Sequence, residues 1–431
     1  MDIPTILRQS FAYVLTIFCN NAIIVVAKRF LKELTLFFMI ALLIALIYLA
    51  FISLGLPDSL LGSAWPVMQV QLGVPISYAG IVTITITCGT ILSSVMSNFL
   101  TKKLGAGLVT AISTTMTAVA LLGFSLSTKF WQLIVWAIPF GLGAGGVDAA
   151  LNNYVALHFS SKHMNWLHAF WGVGALTSPF VMGECLKTQY GWKGGYSAIS
   201  VVQMVIAVLL FVSLPLWKKT SAEEKRSDVK TIDALKVKGI VPLLVMFLAY
   251  CALEQTAMLW ASSYLVNVRH IDETTAATFG SLLFIGITVG RFACGFVSNK
   301  LGDNKLIVIG SAVIAVGIVC IMLPMESPIL CYIGLVLTGV GCAPVYPAII
   351  HSTPSNFGEQ NSQAIIGVQM AFAYTGCALM PPLFGLISTK FMAFYPYFLA
   401  IFLVLMVVMF AIVQKILKRK EISNGKVSKS V

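Results

Sequence analysis

The chain has 431 residues, of which 58% are hydrophobic and only 10% are charged, with a formal net charge of +12. A soluble domain carries about 25% charged residues, and apolar runs of membrane-spanning length recur here from end to end. Such long, uninterrupted runs are read as the helices of a polytopic membrane protein, which excludes a soluble enzyme and a nucleic-acid binder.

The positive charge has a pattern. Lys102, Lys103, Lys162, Lys300 and Lys305 fall in short loops. Lys218, Lys219, Lys225, Arg226, Lys230, Lys236 and Lys238 crowd one central polar stretch, and Lys415, Lys418, Arg419, Lys420, Lys426 and Lys429 crowd the tail. The alternate loops hold only Lys129, Lys187, Lys193, Arg269 and Lys390. Basic residues favour the cytoplasmic side, so the central loop and the tail are expected inside, in a plasma-membrane protein. Attraction to anionic lipid accounts for the charge without a nucleic-acid partner. The nine cysteines are scattered, with no metal or disulfide spacing. No G-x-x-x-x-G-K-[ST] loop is present, so ATP is not the expected energy source, and no cofactor is expected.

In chain order, residues 1–34 come first. Phe11 to Ala27 is apolar but interrupted by Cys19, Asn20 and Asn21, and is followed by Lys28, Arg29 and Lys32. This extension is read as a peripheral helix. The alternatives are a poor extra span, an uncleaved signal-like segment, or sequence ahead of a functional start at Met39. About twelve spans follow, at roughly 35–57, 76–98, 107–126, 131–157, 166–186 and 195–216, then 240–265, 275–298, 305–323, 329–350, 363–388 and 395–416. The chain thus divides into the extension, a first six-helix bundle (35–216), a cytoplasmic linker (217–239), a second six-helix bundle (240–416) and a basic cytoplasmic tail (417–431).

The halves echo each other. Lys103-Leu-Gly105 matches Lys300-Leu-Gly302, Gly141-x-Gly143 matches Gly339-x-Gly341, and Gly174-x-x-x-x-Pro179 matches Gly376-x-x-x-x-Pro381, at offsets of 197, 198 and 202. Weak internal symmetry of this kind marks secondary transporters, whose substrate site lies between the halves near the midplane.

Three acids fall inside apolar spans. Asp58 lies late in the first, Asp148 near the middle of the fourth, and Glu254 in the seventh. A carboxylate at bilayer depth costs roughly 2.5–3.5 kcal/mol on insertion scales. Burial penalises its charged form, so an acid exposed to each side in turn can carry a proton. Asn152 follows Asp148 by four residues and shares its face. The bland readings are a capping or membrane-edge role for Asp58 after Pro57, an internally paired polar residue for Asp148, and an interhelical hydrogen bond for Glu254.

The fifth span opens with Asn165, His168 and Trp171, three apart and therefore on one face. Asn and His can hydrogen-bond hydroxyls, and an indole face can cover the C–H face of a sugar. Trp166 and Trp171 could instead belong to an interfacial aromatic belt, the preferred reading for Trp166. In the second half Gln255, Tyr346, His351, Gln369 and Tyr374 lie in apolar surroundings, and Tyr346-Pro347 points to a broken helix with a freed carbonyl. Arg291 precedes Asn299 and Lys300 near the cytoplasmic end of the eighth span, where these three are expected to gate or brace the helices.

At these residues the chain resembles the major facilitator superfamily. Gly295-Phe-Val-Ser-Asn-Lys-Leu-Gly302 looks like the loop signature that follows the eighth span there. The matching loop after the second span, Asn98-Phe-Leu-Thr-Lys-Lys-Leu-Gly105, lacks its first glycine and its acid. Within the superfamily the chain looks like the fucose:proton symporter family, which includes glucose/mannose transporters. Asp58-Ser-Leu, Asp148-x-x-x-Asn152, Asn165-x-x-His-x-Phe170, Gln255-Thr-Ala257, Tyr346-Pro-x-Ile349 and Gly376-x-x-x-x-Pro381 carry that resemblance. It implies an inward substrate–proton symporter with essential acids at Asp58 and Asp148. The family's Gln at the His168 position and its Asn at the Trp171 position are both replaced, so fucose itself is not implied.

The expectation is an all-α membrane protein of twelve helices in two pseudo-symmetric bundles. It is not an enzyme, and it moves a sugar or similar polar metabolite with protons, as a monomer in the bilayer. Asp58, Asp148 and Glu254 are assigned to proton coupling. Asn152, Asn165, His168, Trp171, Gln255, Tyr346 and Gln369 are assigned to substrate. A proton-driven exporter of drugs or amphipathic metabolites is the first rival, and a non-transporting sensor on the same scaffold is the second.

Overall fold

The computed structural model describes residues 3–217, 231–272, 275, 276, 279, 282–324 and 328–428. Lys218, Lys219, Lys225, Arg226 and Lys230 of the expected linker, and Lys429 of the tail, lie outside the described residues. In lipid every backbone polar group must be satisfied within the protein, so long apolar segments become helices.

The first half contains α1 (Ile3–Gly55), α2 (Leu60–Leu72), α3 (Ala79–Leu104), α4 (Ala106–Leu126), α5 (Phe130–His158), α6 (Ser161–Leu186) and α7 (Gly191–Val212). The second contains α8 (Ile240–Arg269), α9 (Leu282–Leu301), α10 (Asp303–Met322), α11 (Ile329–Cys342), α12 (Val345–His351), the short α13 (Thr353–Phe357), α14 (Glu359–Phe391) and α15 (Tyr395–Ser428). Eleven stretches among the described residues are long and apolar enough to cross a membrane, counting α1 with α2 and α11 with α12 as one each. The 26-residue α6, whose first turns are polar, makes the twelfth helix of spanning length. These form an all-α membrane protein of two pseudo-symmetric six-helix bundles. Residues 3–34 run into the first span without a break, and the last span runs on into the basic tail.

Each half is packed the same way. The second and third spans lie against the fourth, and the first lies against the fifth: α3 and α4 on α5, α1 on α6, then α9 and α10 on α11, α8 on α14. The repeated glycines explain the match. A Cβ at Gly141 would collide with the Ile86 carbonyl, and one at Gly339 with that of Leu283. At Gly143 it would lie 2.6 Å from Ser113 O and at Gly341 2.7 Å from Gly310 O. Gly174 abuts Ile52 O as Gly376 abuts Leu248 O. Small residues of this kind let helix backbones approach closely. The halves meet along α6 with α9 and along α3 with α14, the fifth span of one with the eighth of the other, and the second with the eleventh.

The expected first span, 35–57, is displaced. Tyr48 OH lies 2.7 Å from His163 Nδ1, and His163 is the third residue of α6, at the end that carries Lys102, Lys103, Lys162 and Lys300 (the basic end). Gly55 is therefore only about 10 Å deeper, at 1.5 Å per residue. The span then breaks at Leu56–Ser59 and resumes as α2 for 13 more residues. The break has a local cause. Pro57 has no N–H to give the Ser53 carbonyl four residues back, and Gln203 Nε2 of α7 takes that carbonyl at 2.5 Å. Asp58 thus sits within the span rather than at its outer edge.

Gly174→Ala is expected to lower stability by about 1–3 kcal/mol through overpacking. Gly183 is on the same helix, and a Cβ added there would meet nothing within 4 Å. Gly183→Ala should therefore stay within about 1 kcal/mol of the parent. Thermal unfolding in detergent reads both.

Candidate functional site at the midplane between the halves

Seven of the sequence-predicted residues, Asp58, Asp148, Asn152, His168, Trp171, Glu254 and Tyr346, gather into a ring at mid-depth, built from both halves. Asp58, in the α1–α2 break, accepts a hydrogen bond on Oδ2 from Trp171 Nε1 at 2.8 Å. The Trp171 ring lies 5.7 Å from the Arg291 guanidinium, within cation–π reach. Arg291 Nη2 donates to Glu254 Oε1 at 2.9 Å, with both side chains buried. Tyr250 OH is 2.9 Å from the same Oε1 and 2.8 Å from Cys342 O, and having one proton it serves one acceptor at a time. Tyr346 follows, its ring 4.7 Å from His168. His168 Nε2 then lies 3.0 Å from Asn152 Oδ1. Asn152 Nδ2 donates to Asp148 Oδ1 at 2.8 Å, and Tyr374 OH donates to Asp148 Oδ2 at 2.6 Å. Asp58 and Asp148 are close enough to interact electrostatically.

Why the chain folds this way locally is legible in its spacing. Asp148 and Asn152 are one helical turn apart on α5, where the glycines of Gly141–Gly146 let α3 and α4 pack tightly on the other sides. His168 and Trp171 are three apart on α6 and share its inward face. The tenth span breaks at Ala343 and Pro344 rather than at Tyr346-Pro347, and the carbonyl freed there is that of Cys342, which meets Tyr250.

Burial divides the ring. Asp148, Asn152, His168, Glu254 and Arg291 are buried, whereas Asp58 is exposed and Trp171 half-buried. The hydrogen bonds that join the halves cluster between this ring and the basic end. Ser161 Oγ donates to Asp303 Oδ1 at 2.7 Å, and the Lys162 backbone N–H donates to Asn299 Oδ1 at 3.2 Å. His351 bridges Asp303 Oδ2 (2.7 Å) and Phe159 O (3.1 Å). Ser362 Oγ donates to Asn153 Oδ1 at 2.6 Å, and Trp166 Nε1 to Phe292 O at 3.2 Å. The halves are thus tied together toward the basic end, and Asp58 is exposed.

Some expectations change. Arg291 does not lie with Asn299 and Lys300. It is ten residues from the end of α9, about 15 Å deeper, and pairs with Glu254. Asn299 is at the basic end as expected, and Lys300 is exposed beside it. Trp166 is a wedge between the halves, filling the space left by Gly295, rather than part of a lipid-facing belt. Asn165 turns its Nδ2 back to Ser161 O of its own helix, leaving Oδ1 buried without a partner among the described residues. Gln369 Oε1 accepts from Thr353, and its Nε2 is likewise without one. Gln255 is half-buried beside Glu254. Met370, Tyr250 and Asp303 lie outside the expected set, and Tyr374, noted in the sequence for its apolar surroundings, carries no expected role there. For Tyr374 and Met370 a signal existed, since Gln363, Gly367, Met370 and Tyr374 are spaced four, three and four residues apart on one helix face.

The sequence pattern of the Major Facilitator Superfamily matches residues 47–327 and 255–430. The glucose/mannose transporter GlcP of Bacillus subtilis is 24% identical over 251 residues, covering 55% of this chain and 61% of that protein, so the chain spans about three fifths of its length. The crystal structure of FucP, a superfamily transporter in the outward conformation, superposes with a TM-score of 0.71 at 14% identity, covering 86% of this chain and 97% of that one. The proton:xylose symporter XylE, bound to 6-bromo-6-deoxy-D-glucose, superposes at 0.69 with 11% identity, covering 88% and 96%.

Removing one member of the Glu254–Arg291 pair leaves the other charge buried and unpaired. Glu254→Ala should therefore cost about 3–5 kcal/mol, while the double change Glu254→Leu with Arg291→Met recovers most of the loss. Glu184→Ala, which removes an exposed pair with Lys187, should cost under about 1 kcal/mol. Denaturation midpoints of the purified variants check the ranking.

Proposed function

Because the chain belongs to the Major Facilitator Superfamily and is a membrane transporter rather than an enzyme, we propose that it moves a sugar or similar small polar metabolite together with protons by alternating access. In this reading Asp58 and Asp148 take and release the proton. Asn152, Asn165, His168 and Trp171 meet substrate from the first half, and Gln255, Tyr346 and Gln369 from the second. Glu254, held by Arg291, is the third acid and changes its partner when substrate or a proton arrives.

One observation carries the reading. Asp148 is buried between the halves and accepts hydrogen bonds from both, while Asp58, close enough to feel its charge, is exposed. A carboxylate so placed alternates between a shielded and an accessible setting whenever the halves rock. The half-buried Trp171 ring offers a flat apolar face beside the Asp58 carboxylate, a combination suited to a sugar's C–H face and hydroxyls. Asn165 Oδ1 and Gln369 Nε2 are a spare acceptor and a spare donor, which ligand hydroxyls could satisfy. The named sugars of GlcP and XylE support the substrate class.

The basic end is taken as cytoplasmic, on the ground that Lys and Arg favour that side, in a plasma membrane. The hydrogen bonds near Asn299, Asp303 and His351 then form the inner closure, and Asp58 faces outward. The two six-helix units, within 35–216 and 240–416, move against each other as a monomer, with 1–34 outside the moving bundles and 217–239 joining them.

Proteoliposomes containing a pH dye test the reading against glucose, mannose, xylose and fucose. The parent should acidify the lumen on adding a transported sugar and accumulate that sugar under an inward proton gradient. Asp148→Asn and Asp58→Asn should fall to the background of empty liposomes in both assays while still exchanging labelled for unlabelled sugar. Accumulation unchanged in Asp148→Asn would remove the proton role, and no movement of any of the four would remove the sugar.

A further inference from the structure

We propose that Tyr374 ties the protonation state of Asp148 to closure of the basic end. The inference rests on the reading of Asp148 as a proton carrier and adds the device through which that proton acts.

The inward face of α14 carries Gln363, Gly367, Met370 and Tyr374, which succeed one another from the basic end to the midplane. Gln363 Nε2 reaches Ser97 Oγ at 3.2 Å and Ala149 O at 3.4 Å. At Gly367 an added Cβ would lie 2.5 Å from Ser94 O, so α3 and α14 touch there. Met370 Sδ lies 3.9 Å from Asn152 Nδ2. Tyr374 OH then meets Asp148 Oδ2 at 2.6 Å. This is a ladder holding the second half against the first, and its successive contacts are neutral until the last. Only that rung ends on a group that gains or loses a proton.

The donor arrangement around Asp148 is that of a carboxylate. Asn152 presents its N–H2 to Oδ1, and its own oxygen is taken by His168. A proton added to Asp148 therefore has one place to go, Oδ2, and one acceptor there, the Tyr374 oxygen. To accept it, Tyr374 must turn its own O–H away. The charge-assisted bond between the halves becomes a neutral one, and such bonds are roughly half as strong. Protonation thus loosens the ladder at its inner rung.

Other groups face Asp148. Asp58 comes from the α1–α2 break and Tyr346 from α12, while His168 of α6 reaches it through Asn152. Arg291 and Glu254, from α9 and α8, neutralise each other behind Trp171 and Tyr346. From α3 and α4 the polar residues that reach the glycines of α5 are Thr90, Ser93, Ser94, Ser113 and Thr117, all uncharged, beside the apolar Ile86 and Met116. Tyr374 is the member of this set that both touches Asp148 and belongs to the other half's ladder.

Spin labels at Lys103→Cys on α3 and Gln360→Cys on α14, in an active background whose native cysteines are replaced, report the gap at the basic end by pulsed electron resonance in nanodiscs. In the parent, raising the pH should shift the distance distribution from open to closed. Asp148→Asn should be open-shifted and flat with pH. Tyr374→Phe should lose about three- to twelvefold of the pH-driven change in the open-to-closed ratio, the size expected for the difference between a charge-assisted and a neutral hydrogen bond. Gln363→Ala, which removes a neutral rung, should shift the ratio equally at every pH. If Tyr374→Phe follows the parent curve while Asp148→Asn is flat, the tie is wrong and the proton reading stands. If Gln363→Ala flattens the curve as Tyr374→Phe does, the effect is general loosening and the tie is again wrong. A parent with no pH dependence sinks the proton reading along with it.

Discussion

The carboxylate of Asp148 is the constraint on which the rest of the molecule turns. Holding it at bilayer depth costs roughly 2.5–3.5 kcal/mol, and each hydrogen bond to a charged group returns about 1.5–3 kcal/mol. One of its donors, Asn152, is a turn away on the same helix. The other, Tyr374, belongs to the opposite half of the chain. The acid is therefore fully compensated only while the two halves are together on the basic side. Its solvation and the packing of the bundles are one problem, which is why a single buried residue can bear on the whole arrangement.

The scaffold around it is a duplicated one carrying unequal chemistry. The repeated glycines seat the same helix pairs in both halves, with Gly141 against Ile86 and Gly339 against Leu283, and Gly174 against Ile52 and Gly376 against Leu248. At the same offsets, 198 for the fourth and tenth spans and 202 for the fifth and eleventh, Asp148 corresponds to Tyr346 and His168 to Met370. Where the first half has an acid and an imidazole, the second has a phenol and a thioether. The acid of the second half, Glu254, is balanced by a short, buried contact with Arg291 and by a second donor in Tyr250. Asp58 and Asp148, the two acids of the ring that pair with no cation among the described residues, both come from the first half.

Much of this is legible along the chain, because it depends on helical spacing. The acids, the Asp148–Asn152 turn, the His168–Trp171 face and the duplicated glycines all follow from period and composition. What is not legible depends on contacts between distant segments. Asp58 reads as a span's end because Pro57 reads as a stop, yet the helix resumes as α2, and the carbonyl freed at Ser53 is taken by Gln203, 150 residues away. Arg291 reads as part of the loop signature that follows it, but its partner Glu254 lies 37 residues earlier. Asn165 shares a face with His168, and its amide nonetheless bonds its own helix. Trp166 resembles a membrane-edge tryptophan, but Gly295 on the opposite half opens a slot for it.

In the proposed cycle Asp148 changes protonation state inside the closed bundle. Infrared difference spectroscopy of the purified protein between acid and alkaline pH reads this directly, in the parent and in Asp148→Asn. A protonated-carboxyl C=O band should appear on acidification of the parent and be missing from Asp148→Asn. The same band in both proteins would contradict the cycle.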